Sequence, residues 1–165
     1  MGVNTVTTDR LQGSALEAWR SYLQSHATIL RELDAELVAA HGMTTRDYEV
    51  LLYLAQAPDR RLPMSALATS TMLTRSGITR LVDGLVETGM IERVSCSSDA
   101  RISYAQLTDL GYSTLRAAGC THIASIQRLF LEHFSPEEID HLATLLSRLP
   151  GAGAGGSCTV GEEEA

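Results

Sequence analysis

Lysine is absent from this chain: all thirteen basic residues are arginine, so lysine chemistry is excluded and every cationic contact must come from a guanidinium. Aromatic residues make up only 5% of the 165 residues, which favours helices packed through Leu and Ala over a β-sandwich. Cysteines are few and scattered, Cys96, Cys120 and Cys158, with no Cys-x-x-Cys; that spacing suggests neither a disulfide framework nor a zinc finger. No run approaches the roughly 20 apolar residues of a membrane span. The N-terminus has no basic-plus-apolar signal, so a reducing cytoplasm is the expected compartment. No nucleophile and base, and no metal-ligand set, occur at a spacing that would converge. The chain therefore reads as a non-enzyme without cofactor or metal. An apolar content of 44% is enough for one domain with a real core.

The formal charge is −7, which is unfavourable for contact with nucleic acid until its distribution is examined. Between Pro58 and Tyr104 there are six Arg against five acids, or +1; the rest of the chain carries seven Arg against fifteen acids, or −8. An acidic remainder repels phosphate, so the central segment is the one plausible contact region.

Periodicity and punctuation divide the chain. Residues 1–14 are polar and form a flexible N-terminus, residues 15–150 form a single domain, and residues 151–165 form a disordered Gly/Ala/Glu tail. A long helix begins at Leu16, with a three-four seam of Leu16, Trp19, Leu23, His26, Leu30, Leu33, Leu37 and Ala40. It would span on the order of 37 Å, more than a lone domain of this size needs, so one stripe is expected to meet a partner. Gly42 stops it. Thr44 and Asp47 form a capping-box-like start for a second helix burying Tyr48, Leu51, Leu52 and Ala55, which Pro58 breaks. Arg60 to Leu62 suits a short strand, and Pro63 opens a short third helix through Leu67 and Ala68. Thr108 caps a fifth helix through Leu115, Ile123, Ile126 and Phe130. Ser135-Pro136-Glu137-Glu138 opens a sixth, with Ile139, Leu142, Leu146 and Leu149 in its seam and Pro150 at its end.

Residues 74–108 carry the functional signal. Ile78, Leu81, Val82 and Leu85 form one buried helical stripe. The opposite face holds Thr74, Arg75, Ser76, Thr79 and Arg80, cations and short hydroxyls that can reach phosphates and base edges. Gly89 supplies a left-handed stop. Two segments, Met90 to Ser95 and Arg101 to Leu107, then form a hairpin around Ser97, Ser98 and Asp99. Together these make a winged helix-turn-helix over residues 44–108 in a mainly α fold, with residues 15–41 and 109–150 as dimerisation helices.

Asp99-x-Arg101 followed by Leu107-Thr108-x-x-Gly111, downstream of that helix, resembles the MarR family of bacterial transcription regulators. The resemblance runs from about Leu16 to Leu149 and includes Asp47-Tyr48-Glu49-Val50-Leu51. Ala100 departs from the basic residue or glycine often found there, which implies a weaker hold at the wing tip. The resemblance implies a homodimer on double-stranded DNA, acting as a repressor until a small molecule weakens binding. A C2 dimer reading successive major grooves needs a near-palindromic operator. Arg101, oriented by Asp99, is expected to enter the minor groove. Relatives bind small aromatic or lipophilic compounds between dimer helices and winged lobes. Trp19, Tyr22, His26 and Tyr48 are the candidates for such a pocket here, although plain core positions explain the aromatics as well. Two other readings stay open: a thiol-based redox regulator through Cys96, and a ligand-binding or interaction module that has lost DNA binding.

Other patterns carry less. Gly151 to Gly156 satisfies G-x-G-x-x-G, but a helix precedes it instead of a strand and the chain soon ends. Cys120 and His122 point about 200° apart on one helix, so they cannot ligate one ion within it. His122, His133 and His141 are expected as helix-surface residues.

Overall fold

The computed structural model describes residues 11–95 and 102–151, in which six α-helices surround a small sheet. Helix α1 (Gly13–His41) ends where Gly42 turns left-handed at φ 67°. Helix α2 (Thr45–Gln56) opens with a reciprocal cap: the Asp47 N–H donates to the Thr44 hydroxyl at 3.2 Å, and the Thr44 N–H donates to the Asp47 carboxylate at 2.8 Å. Asp34 of α1 accepts from the Thr45 N–H at 2.7 Å, so the start of α2 is fixed to α1 as well. A 3₁₀ turn (Pro58–Arg60) leads into β1 (Arg61–Pro63) and α3 (Met64–Ser70). Then follow α4 (Arg75–Glu87), β2 (Ile91–Ser95), β3 (Ser103–Leu107), α5 (Asp109–Leu129) and α6 (Pro136–Leu146). The sheet is antiparallel in the order β1-β3-β2, with Leu62 opposite Ala105 and Arg93 opposite Ala105 on its other side.

The core lies in the lobe made by α2, α3, α4 and the sheet, closed by Leu37 of α1 and by Leu115 and Ala118 of α5. The apolar stripe of α4 enters it through Ile78, Val82 and Leu85. Each such side chain contributes about 1.5–3 kcal/mol when fully buried. This burial sets the angle at which α4 presents its other face.

Three expectations need correction. The first-helix seam is filled only at Leu33 and Leu37; Trp19, Tyr22, Leu23 and Leu30 remain 40–50% exposed. The inward face of α5 is Gly111, Leu115, Ala118, Gly119, His122 and Ser125, while Ile123 points out at 43% exposure. Small residues decide that face, because they let α1 and α2 approach the α5 backbone; the Tyr48 hydroxyl would stand 3.5 Å from a Cβ at Gly119. Helix α6 opens with the expected Ser135–Glu138 box but stops at Leu146, and it buries none of its residues within the chain.

His122 is likewise not a surface histidine. It is buried, its ring centroid lies 4.6 Å from that of Tyr48, and its Nδ1 has no hydrogen-bond partner among the described residues. Burial lowers its pKa below the ordinary 6.5, because the charged form loses its water. The folded chain then binds fewer protons here than the unfolded chain. The stability this gives is present above about pH 6.5 and is lost as pH falls through the lowered pKa. The Tm of the parent should therefore fall from about pH 7 to about pH 5, and His122→Phe should flatten that dependence. An unchanged slope in the variant would place the titration elsewhere.

Candidate nucleic-acid interface

Helix α4 is the second helix of a helix-turn-helix, and its first turn is built to expose polar groups. The Thr74 hydroxyl accepts from the Gly77 N–H at 3.1 Å and lies 3.2 Å from the Ser76 hydroxyl. Thr79 donates its proton to the Arg75 carbonyl at 2.8 Å, which leaves its oxygen outward-facing as an acceptor. Thr74, Arg75, Ser76, Thr79 and Arg80 line one shallow concavity, so the structure brings these five sequence candidates together.

Three other described arginines of the central segment, Arg60, Arg61 and Arg93, are engaged. Arg60 lies 3.3 Å from Asp109 and its guanidinium sits 3.9 Å over the Tyr112 ring; Arg61 reaches Asp59 at 3.4 Å. Arg93 pairs with Asp83 at 2.6 Å. Among the described residues no ion pair holds Arg75 or Arg80. Among the described arginines of the central segment, those left free to meet an anion are therefore Arg75 and Arg80, on the exposed face of α4.

The wing is seen up to its root, where Ser95 faces Ser103. Asp99, Arg101 and Cys96 lie outside the described residues, as does the tail from residue 152. The Leu-Thr-x-x-Gly motif, by contrast, has a clear physical role. The Thr108 hydroxyl caps α5 by accepting from the Gly111 N–H at 3.0 Å, and it reaches the Gly89 carbonyl at 2.8 Å and the Met90 carbonyl at 3.1 Å. Gly89 itself has φ 75°, the left-handed turn that sends the chain from α4 into β2. One residue thus joins the end of α4, the wing root and α5.

The ligand candidates divide. Trp19, Tyr22 and His26 stack along the exposed half of α1, with centroids 6.2 and 6.1 Å apart. Tyr48 lies inside the lobe against His122, at 3% exposure. Trp19 is about 22 Å along the helix from Asp34, which anchors α2, so one chain does not bring Tyr48 to the other three. Sequence reasoning missed a polar seam between α1 and α5. Glu36 meets Ser125 and Arg128 there, and His41 Nε2 lies 2.8 Å from the Thr121 hydroxyl. Its only signal was an acid wedged between Leu33 and Leu37. Cys120 is exposed on the opposite side of α5 from His122.

Comparison with known proteins agrees with this geometry. The sequence model of the MarR family matches residues 41–102. The chain is 31% identical over 111 residues to the HTH-type transcriptional repressor YetL of Bacillus subtilis, covering 67% of this chain and 66% of that protein, just under two thirds. It is 30% identical over 121 residues to the HTH-type transcriptional regulator PecS of Dickeya dadantii, covering 72% and 71%. Among solved structures, Sco3205 of Streptomyces coelicolor, a MarR family regulator crystallised in complex with DNA, superimposes with a TM-score of 0.79 at 32% identity, covering 83% of this chain and 89% of that one. With the helix-turn-helix, the winged sheet and these likenesses together, the chain belongs to the MarR family of transcriptional regulators.

Proposed function

We propose that this protein is a homodimeric, sequence-specific regulator that binds double-stranded DNA through α4 and represses transcription until a small molecule weakens that binding. The observation that carries the reading is the α4 face: two guanidiniums, Arg75 and Arg80, in no ion pair among the described residues, share it with Thr79 on a chain whose net charge is −7. Arginine can bond guanine bidentately, and the Thr79 oxygen can accept from an adenine or cytosine amino group. The DNA complex of Sco3205 supports the partner, and the name of YetL supports repression. The wing residues Asp99 and Arg101 enter on sequence alone, as minor-groove and phosphate contacts.

Dimerisation is supported by what one chain leaves unfilled. The first half of α1 and all of α6 bury nothing internally, and Leu145 is 54% exposed. A second copy seated on these surfaces would cover them and set two α4 helices on one face. A small aromatic or lipophilic ligand held between dimer helices and winged lobes would alter their spacing. Trp19, Tyr22 and His26 are its proposed contacts; Tyr48, closed inside the lobe against His122, would join them only if the lobe opened. Because docking needs both helices in register, such a shift couples ligand to DNA. None of the described helices is long and apolar enough to cross a membrane, in keeping with a cytoplasmic regulator.

Sequencing fragments selected from random DNA by the purified protein tests the reading. A near-palindrome with half-sites about 34–36 Å apart is expected. Recovery of unrelated sequences would refute specific binding, and a folded monomer in micromolar sedimentation would refute the dimer.

A further inference from the structure

Asp83 puts an acid on the helix that should face phosphates. It follows Thr79 by four residues, so it lies on the same strip, about 6 Å further along the axis. A bare carboxylate there would oppose a duplex docked on Arg75 and Thr79. The carboxylate is not bare, because Arg93 Nη2 lies 2.6 Å from Asp83 Oδ1. Arg93 sits at the middle of β2, an edge strand bonded on one side only, to β3. It also lines the cleft between α3, α4 and the hairpin, together with Arg75, Thr79 and Ile102.

The pair is too exposed to matter much for folding: its side chains keep 34% and 54% of their accessibility, and such pairs have a small effect on stability. What it does fix is charge and position. We propose that Arg93 is a positioning residue for DNA docking. It acts through Asp83, cancelling that acid beside the groove-facing residues of α4 and tying the wing root to α4, without touching DNA itself. This rests on the DNA-binding reading of α4.

The test is a salt titration of operator binding with the full chain, comparing parent, Arg93→Ala, Asp83→Asn and the double variant. If the parent selects no operator, the α4 reading itself fails, which is a separate result. Given a binding parent, Arg93→Ala should weaken affinity about 3- to 10-fold with an unchanged slope of log affinity against log salt. In the Asp83→Asn background the same change should cost less than about twofold, because the charge it balanced is gone. A slope reduced by about one unit, with the full loss persisting in that background, would make Arg93 a direct phosphate contact and overturn the proposal. Parent-like binding by Arg93→Ala would overturn it too. Arg93→Gln keeps the stem, and it replaces Arg93→Ala should thermal unfolding show the alanine variant to be misfolded.

Discussion

Replacing Arg75 or Arg80 by alanine should cost about 1–3 kcal/mol of operator affinity each, roughly 5- to 150-fold. Neither change should disturb the fold, since both residues are exposed and Ile78, Val82 and Leu85 hold the helix from its other side. The expected size follows from what is lost. A guanidinium placed on guanine makes two parallel bonds, whereas one on phosphate makes a contact that other cations can partly replace. The two cases separate experimentally. A residue that reads a base loses discrimination between operator and random DNA, with little change in salt slope. A phosphate contact weakens both alike and lowers the slope by about 0.9. Thr79→Ala should be milder, because its proton is already spent on the Arg75 carbonyl and only its acceptor and methyl are available. Fluorescence anisotropy on selected operator and scrambled DNA supplies the measurement. If Arg75→Ala and Arg80→Ala both bind like the parent, α4 does not read the groove.

The parts of this fold that sequence made readable are those set by local chemistry. Thr44 with Asp47 and Ser135 with Glu138 mark helix starts because a cap is satisfied within three residues, and both boxes form. The polar face of α4 was readable because a 3.6-residue period separates it from Ile78 and Val82. What stayed hidden depends on distant partners. Hydrophobicity favoured Ile123 over His122 as an inward residue of α5, but the approach of α1 and α2 needs small neighbours, and Ala118 and Gly119 put His122 inside. The Glu36–Arg128 pair joins residues 92 positions apart, and Asp83–Arg93 crosses from helix to strand. No local pattern announces either. The seam on α1 is filled only at Leu33 and Leu37, and its exposed half does not by itself say where along it a second copy would sit.

Gly111→Ala should be the most damaging small change in the chain. A Cβ at that position would lie 2.1 Å from the Met90 carbonyl oxygen and 2.7 Å from Leu107 Cδ1. The leucine methyl can swing away, but the carbonyl cannot. It accepts from the Thr108 N–H and the Thr108 hydroxyl, each at 3.1 Å, and Thr108 in turn caps α5. Relief therefore requires α5 to lift from the turn between α4 and β2, which breaks the cap and the two bonds to Met90 together. Overpacking against fixed backbone should cost about 3 kcal/mol, a fall in Tm of roughly 6–12 °C for a domain of this size. Gly84→Ala is the matched control. Gly84 is exposed in mid-helix on α4 with nothing within 4 Å of its would-be Cβ, so alanine there should stabilise by about 0.5–1 kcal/mol. Thermal unfolding of the two variants beside the parent should move Tm in opposite directions. A Gly111→Ala protein that melts with the parent would mean that α5 slides cheaply over Met90. In that case the Leu-Thr-x-x-Gly joint is compliant, and it cannot transmit a displacement of α5 to the recognition helix.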